Sequence, residues 1–173
     1  MVLPSLRSLR LHESKGLQNG SSQALEAVKD FVESRKSGPA AGRLHAIWYC
    51  VEAPAAGGRA FEAGDITLLE SLKKSGNKVP VIIVFTKFDR VEFREQRRLQ
   101  NEYIESGMDE RQAVIKAKTD SHSAALKTYH KTCVASLKSN LPSDAWTAHC
   151  AISSKHKESI LSLVGLTTST LAS

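Results

Sequence analysis

The sequence predicts an α/β fold built on a parallel sheet, and three observations carry that expectation. In VPVIIVFTKFDRVEF (79–93), residues 81–85 are wholly apolar and mostly β-branched, with Pro80 leading in and charges following. The run lacks polar alternation and is too short to cross a membrane, so it reads as a central strand buried on both faces. Two more apolar runs of strand length, 44–51 and 146–152, stand on either side of it in the chain. Between the runs lie stretches with helical apolar spacing, and strands that alternate with helices pair in parallel.

Taken in order, residues 6–12 alternate Leu with Arg or Ser and predict a short strand, leading into Glu13-Ser14-Lys15-Gly16 and a Gly/Asn/Ser turn. Across 22–34, Leu25, Val28, Phe31 and Val32 fall on one stripe of an amphipathic helix. Residues 37–42 form a Gly/Pro/Ala loop, then 44–51 (LHAIWYCV) give a second, near-continuously buried strand with a flexible Ala/Pro/Gly loop after it. Asp65 is placed to N-cap a helix carrying Ile66, Leu68, Leu69 and Leu72 that stops near Gly76. The 81–85 strand follows, and after it a long helical region broken at Gly107 and ended by Pro142. Its first part, 91–106, is heavily charged. Its second, 109–139, carries Val114, Ala117, Ala125, Tyr129, Cys133 and Leu137 at helical spacing. The 146–152 strand leads into Ser153-Ser154-Lys155 and a helix bearing Ile160, Leu161 and Val164, and the small polar tail 167–173 is expected to fray.

With 173 residues, 41% hydrophobic and 24% charged, the chain has the size and composition of one soluble domain. Its net charge of +6 suits an acidic partner, but the charges are scattered, concentrating only at 94–98 and 116–131. Neither aromatic interleaving nor a nucleic-acid motif accompanies them, so a basic nucleic-acid-binding domain ranks last among the readings. Cys50, Cys133 and Cys150 form no CxxC pair; Cys50 and Cys150 lie in apolar runs, where reduced Cys packs as a small hydrophobe. No run is long enough for a membrane span and MVLPSLRSLRL lacks the apolar core of a signal peptide, so a reducing cytoplasmic setting is expected. Among the histidines, His45 reads as a core residue of its strand, His122 and His130 are too far apart to share a ligand, and His149 and His156 flank the third strand's end. No metal-ligand spacing and no Ser-His-Asp arrangement stands out.

Three of the four expected strands end in a small polar cluster: Glu13-Ser14-Lys15-Gly16, Thr86-Lys87-Phe88-Asp89 and Ser153-Ser154-Lys155. In a parallel sheet all three share one edge, where ligands of α/β folds bind. In that order they resemble the G domain of P-loop GTPases (translation-factor-related, Era-like or AIG-like), read from its third conserved element onward. The resemblance covers about residues 9–164 and implies the three-layer parallel sheet of that domain over 1–166, with an extended helical insert at 91–141. It implies GTP or GDP as ligand, with Mg2+. Asp89 would accept from guanine N1 and the exocyclic amine, contacts adenine does not offer. Lys87 would lie over the base, Thr86 would tie the loop to its neighbours, and Ser153 would brace Asp89. Backbone N–H groups at Ser154 and Lys155 would donate to guanine O6. Gly16 would present its N–H to a γ-phosphate, which a residue without Cβ can approach closely. Glu13 stands where the family has a magnesium-directed Asp, with a longer side chain.

The family's first element, G-x-x-x-x-G-K-[ST], is absent, as is switch I; Gly57-Gly58-Arg59 lacks the Lys-Ser/Thr ending and follows a different strand. The P-loop supplies most of the grip on phosphate and magnesium, so hydrolysis by the usual route is expected to fail. The chain thus reads as the carboxyl-terminal two-thirds of such a domain, either a truncated gene product or a degenerate member. The strand that is missing belongs between 6–12 and 44–51, so those two either close up or the first docks poorly. A pseudo-GTPase that binds a protein effector through helices in 91–139 is the rival reading, and a charged helix covering the flank of the sheet is the plainer account of that insert.

Overall fold

The structure, a computed structural model, describes residues 10–14, 22–36, 42–54, 58–74 and 78–172. Helix α1 (Ser22–Ser34) is followed by β1 (Ile47–Glu52), α2 (Ala63–Lys74), β2 (Val81–Thr86), α3 (Phe88–Glu105) and α4 (Glu110–Tyr129). A π turn, His130–Val134, joins α4 to α5 (Ala135–Asn140); β3 (Ala148–Ala151) and α6 (Lys157–Ala172) complete the chain. The fold is mixed α/β, with a three-stranded sheet in the order β1-β2-β3. Both pairings are parallel, with Ile47 opposite Val81 and Ile82 opposite Ala148.

The apolar run of β2 takes the central position that its composition predicts. Ile82, Ile83, Val84 and Phe85 are fully buried, each contributing about 1.5–3 kcal/mol relative to an exposed side chain. Alternation divides them between two layers. Val81, Ile83 and Phe85 face a core shared with Phe61, Leu69, Phe88, Val91, Tyr129, Cys133 and Leu137. Ile82 and Val84 face α6 through Leu163 and Leu166, with Trp48 and Cys150 beside them. Helices therefore cover both faces, while α1 packs Val32 at the margin against Leu68 and Leu72.

Several boundaries differ from expectation. The strand expected at 44–51 begins at Ile47, and its exposure is that of an edge strand among the described residues: Cys50 is exposed rather than packed, and His45, expected in the core, is exposed ahead of the strand. The third strand is confined to Ala148–Ala151 within 146–152. Asp65 is not the N-cap of α2. It sits in the first turn, and its carboxylate accepts the Glu62 N–H at 2.7 Å, the return half of a capping box.

Two expectations at the ends of the chain differ from the described structure. Of the strand expected at 6–12, residues 6–9 lie outside the described set, while Arg10–His12 are not in the sheet and Leu11 is 68% exposed. A lone alternating segment gains a ladder only beside another strand, and among the described residues none pairs with it. At the other end, α6 continues through Ala172 instead of fraying from Thr167. Thr167 is buried, and its hydroxyl accepts the Trp48 indole N–H at 2.9 Å. The face α6 turns inward carries Leu163, Leu166 and Thr167, and Ile160 and Leu161 point to solvent.

The long helical region breaks where glycine allows it. Gly107 has φ +91°, its N–H bonds the Ile104 carbonyl and the Met108 N–H bonds that of Tyr103, a Schellman ending. Asp109 then caps α4, accepting from the Arg111 and Gln112 N–H groups. Buried positions on the returning helix recur every fourth residue, at Ala113, Ala117, Ser121, Ala125, Tyr129, Cys133 and Leu137. A strict repeat of four drifts about 40° per step on a helix of 3.6 residues per turn. The π turn takes up an extra residue there and returns Cys133 and Leu137 to the core.

Candidate functional site

At the carboxyl edge of the sheet the chain leaves β2 through one residue. Lys87 adopts the left-handed conformation, φ 58° and ψ 34°, and is the one non-glycine residue with positive φ among those described. That conformation costs a residue with a Cβ about 1 kcal/mol. Here it turns the strand directly into α3. Three backbone bonds fix the corner: Ala53 N–H to the Thr86 carbonyl, Ile152 N–H to Phe85, and Phe88 N–H to Ile152. The Thr86 hydroxyl donates to the Val51 carbonyl at 3.2 Å, tying β2 to β1.

In the first turn of α3, Asp89 meets the loop that follows β3. The buried Ser153 hydroxyl donates to Asp89 Oδ1 at 3.0 Å and accepts the Lys155 N–H at 3.1 Å. Lys155 Nζ lies 3.6 Å from Asp89 Oδ2. Burial pushes the Asp89 carboxyl up, but the Ser153 hydroxyl, its own backbone N–H and Lys155 outweigh that and hold it below the ordinary carboxylate value. Ser159 supports the loop from α6: its hydroxyl contacts the Ser153 N–H and the Ser153 and His156 carbonyls. Ser154 sits exposed at the turn.

Thr86, Lys87, Asp89, Ser153, Ser154 and Lys155 thus lie together on one edge, with Ser153 braced on Asp89. Of the first cluster only Glu13 and Ser14 are among the described residues. Gly16 lies outside the described residues, and Glu13 is on the exposed stretch ahead of α1, near enough to Cys50 to add to the effect of burial in raising that thiol's pKa. Among the described residues no group of three His, Cys, Asp or Glu is arranged to hold a metal ion, so Glu13 has no co-ligands there.

Two carboxylates of this edge escaped sequence reading. Glu52, the last residue of β1, pairs with Lys87 Nζ at 2.5 Å and Arg90 Nη1 at 2.6 Å. Its bond to Lys87, and secondarily Arg90, lowers its pKa against a smaller upward push from burial. Glu92 accepts from His122 of α4 and His156 of the loop. The available signal was position: Glu52 is the first charged residue after an apolar strand, and Glu92 follows Asp89 by three, on the same face of a helix.

The edge offers a carboxylate held by Ser153 and Lys155, a lysine held by Glu52, and exposed residues at 154–155. A carboxylate of this kind accepts from N–H donors, and the lysines donate. No described helix is long and apolar enough to cross a membrane. Comparison of the chain with family models, curated proteins and solved structures finds no match.

Proposed function

We propose that this chain binds the base of a guanine nucleotide at the carboxyl edge of β2, as an incomplete G-domain-like unit of the P-loop GTPase kind. The observation that supports this most is the Ser153–Asp89 hydrogen bond, which fixes a carboxylate at the end of the central strand beside the exposed turn at Ser154. In this reading Asp89 accepts from guanine N1 and the exocyclic amine, the Lys87 stem covers the base while its head stays with Glu52, and the Ser154 N–H donates to O6, the Lys155 N–H being held by Ser153. Lys155 Nζ faces Asp89 Oδ2, one of the two oxygens this contact uses, so binding displaces that side chain, which is 72% exposed. Without a G-x-x-x-x-G-K-[ST] sequence, affinity for the phosphates and Mg2+ is weak and hydrolysis does not follow. Three free cysteines fit a reducing, cytoplasmic setting.

A second reading is a protein-interaction module that has lost nucleotide binding. Phe93 on α3 is 55% exposed and Ile115 on α4 is 68% exposed, large apolar side chains on the long hairpin. Calorimetry with GDP, GTP and ATP, with and without Mg2+, separates the two. Heat with guanine nucleotides alone supports base recognition; none, from a chain with a folded circular-dichroism spectrum, favours the interaction module.

A further inference from the structure

Helix α3 presents two carboxylates to the 153–156 loop, three residues apart and so on one face. Asp89 takes Ser153 and Lys155, as described. Glu92 takes His156: its Oε2 lies 3.0 Å from His156 Nε2. The other oxygen, Oε1, lies 2.5 Å from Nδ1 of His122, a residue of α4. One side chain therefore joins three elements that are distant in the sequence.

Exposure ranks the three partners. Glu92 is 14% exposed at its side chain, His122 67% and His156 51%. The carboxylate is the fixed member, and the rings are held to it from the solvent side. The His122 ring also stands edge-on to Phe88, whose backbone N–H bonds Ile152 at the start of the loop. Ser159 sets the loop's internal shape from α6. What Ser159 does not set is the distance between the loop and α3: the Phe88–Ile152 backbone bond fixes it at the loop's start, and the side chains of Asp89 and Glu92 span it beyond.

We infer that Glu92 is a positioning residue for the 153–156 loop, and that α4 acts on the loop through it. With His122 on Oε1, the Glu92 side chain is held in the rotamer that aims Oε2 at His156. Removing His122 frees that rotamer, and the loop loses one of its two side-chain ties to α3. Movement of the α3–α4 hairpin is thereby felt at the backbone groups of 154–155. The consequence for ligand binding rests on the guanine reading above; the coupling itself does not.

Hydrogen exchange on the full chain tests the coupling without any nucleotide. The Lys155 and His156 amides report it, being bonded to the Ser153 hydroxyl and the Ser153 carbonyl. Glu92→Ala is expected to speed their exchange about fivefold, as loss of one solvent-exposed ion pair predicts. His122→Ala, on the other helix, is expected to speed it about threefold, and to add nothing in the Glu92→Ala background. The Ile83 amide in β2 serves as reference; acceleration there too means general destabilisation and overturns the inference. Unchanged exchange at 155–156 in either single variant, or additive effects in the double, also overturns it. GDP is the second probe: where the wild type binds it, Glu92→Ala speeds release without changing the preference for guanine over adenine. A wild type that ignores GDP while the exchange pattern holds sinks the guanine reading and leaves the role of Glu92 standing.

Discussion

Ser153 Oγ lies 3.0 Å from Asp89 Oδ1, across 64 positions of sequence. The bond joins the end of the central strand to the end of its neighbour, and parallel pairing is what makes it possible: Phe85 of β2 is opposite Ala151 of β3, so both chains leave the sheet at the same level. A hydroxyl that is 2% exposed in residue terms has little water to turn to, so its partners are the carboxylate and the Lys155 N–H.

Ser153→Ala therefore leaves the Lys155 N–H without its acceptor and Asp89 without its main donor. The expected cost is about 2 kcal/mol, typical for removing one side of a buried bond to a charged group. Urea denaturation measures it. In the same variant the Asp89 carboxyl should titrate nearer the ordinary aspartate value, because the largest effect opposing burial is gone. Carboxyl chemical shifts that titrate as in the wild type would show that the bond does not form in solution.

Asp89→Asn tests the guanine reading by its chemistry. The amide replaces an acceptor with a donor, so affinity should move from guanine toward xanthine nucleotides, whose C2 carries an oxygen instead of an amine. A change of about tenfold or more in the ratio is expected, since mismatched buried donors are strongly rejected. Competition between GDP and XDP reads it directly. Equal losses for both nucleotides would mean that Asp89 supports the loop and does not touch the base.

Much of this edge was legible in the sequence because strands of a parallel sheet point the same way. Recognising that 81–85 and 146–152 were strands sufficed to bring Thr86-Lys87-Phe88-Asp89 and Ser153-Ser154-Lys155 together. Glu52 and Glu92 were not legible, since their partners come from pairings that no local pattern announces: Glu52 meets Lys87 through strand register, and Glu92 meets His122 through the return of α4. The 6–12 alternation misled for the reason that period two describes a strand's faces but not whether a neighbour exists to pair with it. At the other end, the small polar residues of 167–173 suggested fraying, yet threonine and serine hydroxyls there bond back to carbonyls one turn earlier, and α6 continues.

His149 makes stability depend on pH. It lies on β3 with Nδ1 2.7 Å from the Tyr129 hydroxyl. Burial, then the charges of His130 and Lys138, push its pKa below the usual histidine value. A group whose folded pKa is depressed stabilises the protein fully above its unfolded value, about 6.5. That contribution is lost as pH falls through the folded value. Unfolding free energy should therefore drop between pH 7 and 5, with a slope below the limiting value of about 1.4 kcal/mol per unit for one proton, the half-buried ring being partly screened. Denaturant midpoints at several pH values, compared with His149→Gln, isolate it. A slope that survives in the variant would assign the effect to another group.

Gly107 should resist substitution for conformational reasons alone. A Cβ there meets nothing within 4 Å, yet φ is +91°. Gly107→Ala is expected to cost about 1 kcal/mol, and Gly107→Asn less, since asparagine tolerates positive φ better. Thermal melts order the three chains. An alanine variant as stable as the wild type would mean the α3–α4 turn takes another shape.

Thr167 decides whether the last turns of α6 belong to the folded domain. Its hydroxyl donates to the Leu163 carbonyl and accepts from Trp48 Nε1, across 119 positions of sequence. Thr167→Val keeps the side-chain shape and removes the acceptor, so the Trp48 indole N–H is left partly buried and unpaired. The expected loss is about 1 kcal/mol, with a shift in Trp48 fluorescence as its N–H loses its partner. Ending the chain at Leu166 removes Thr167 and the rest of α6 through Ala172, and should cost more than the point change. If neither variant differs from the full chain in its melt, α6 frays from Thr167 in solution and Trp48 finds its partner elsewhere.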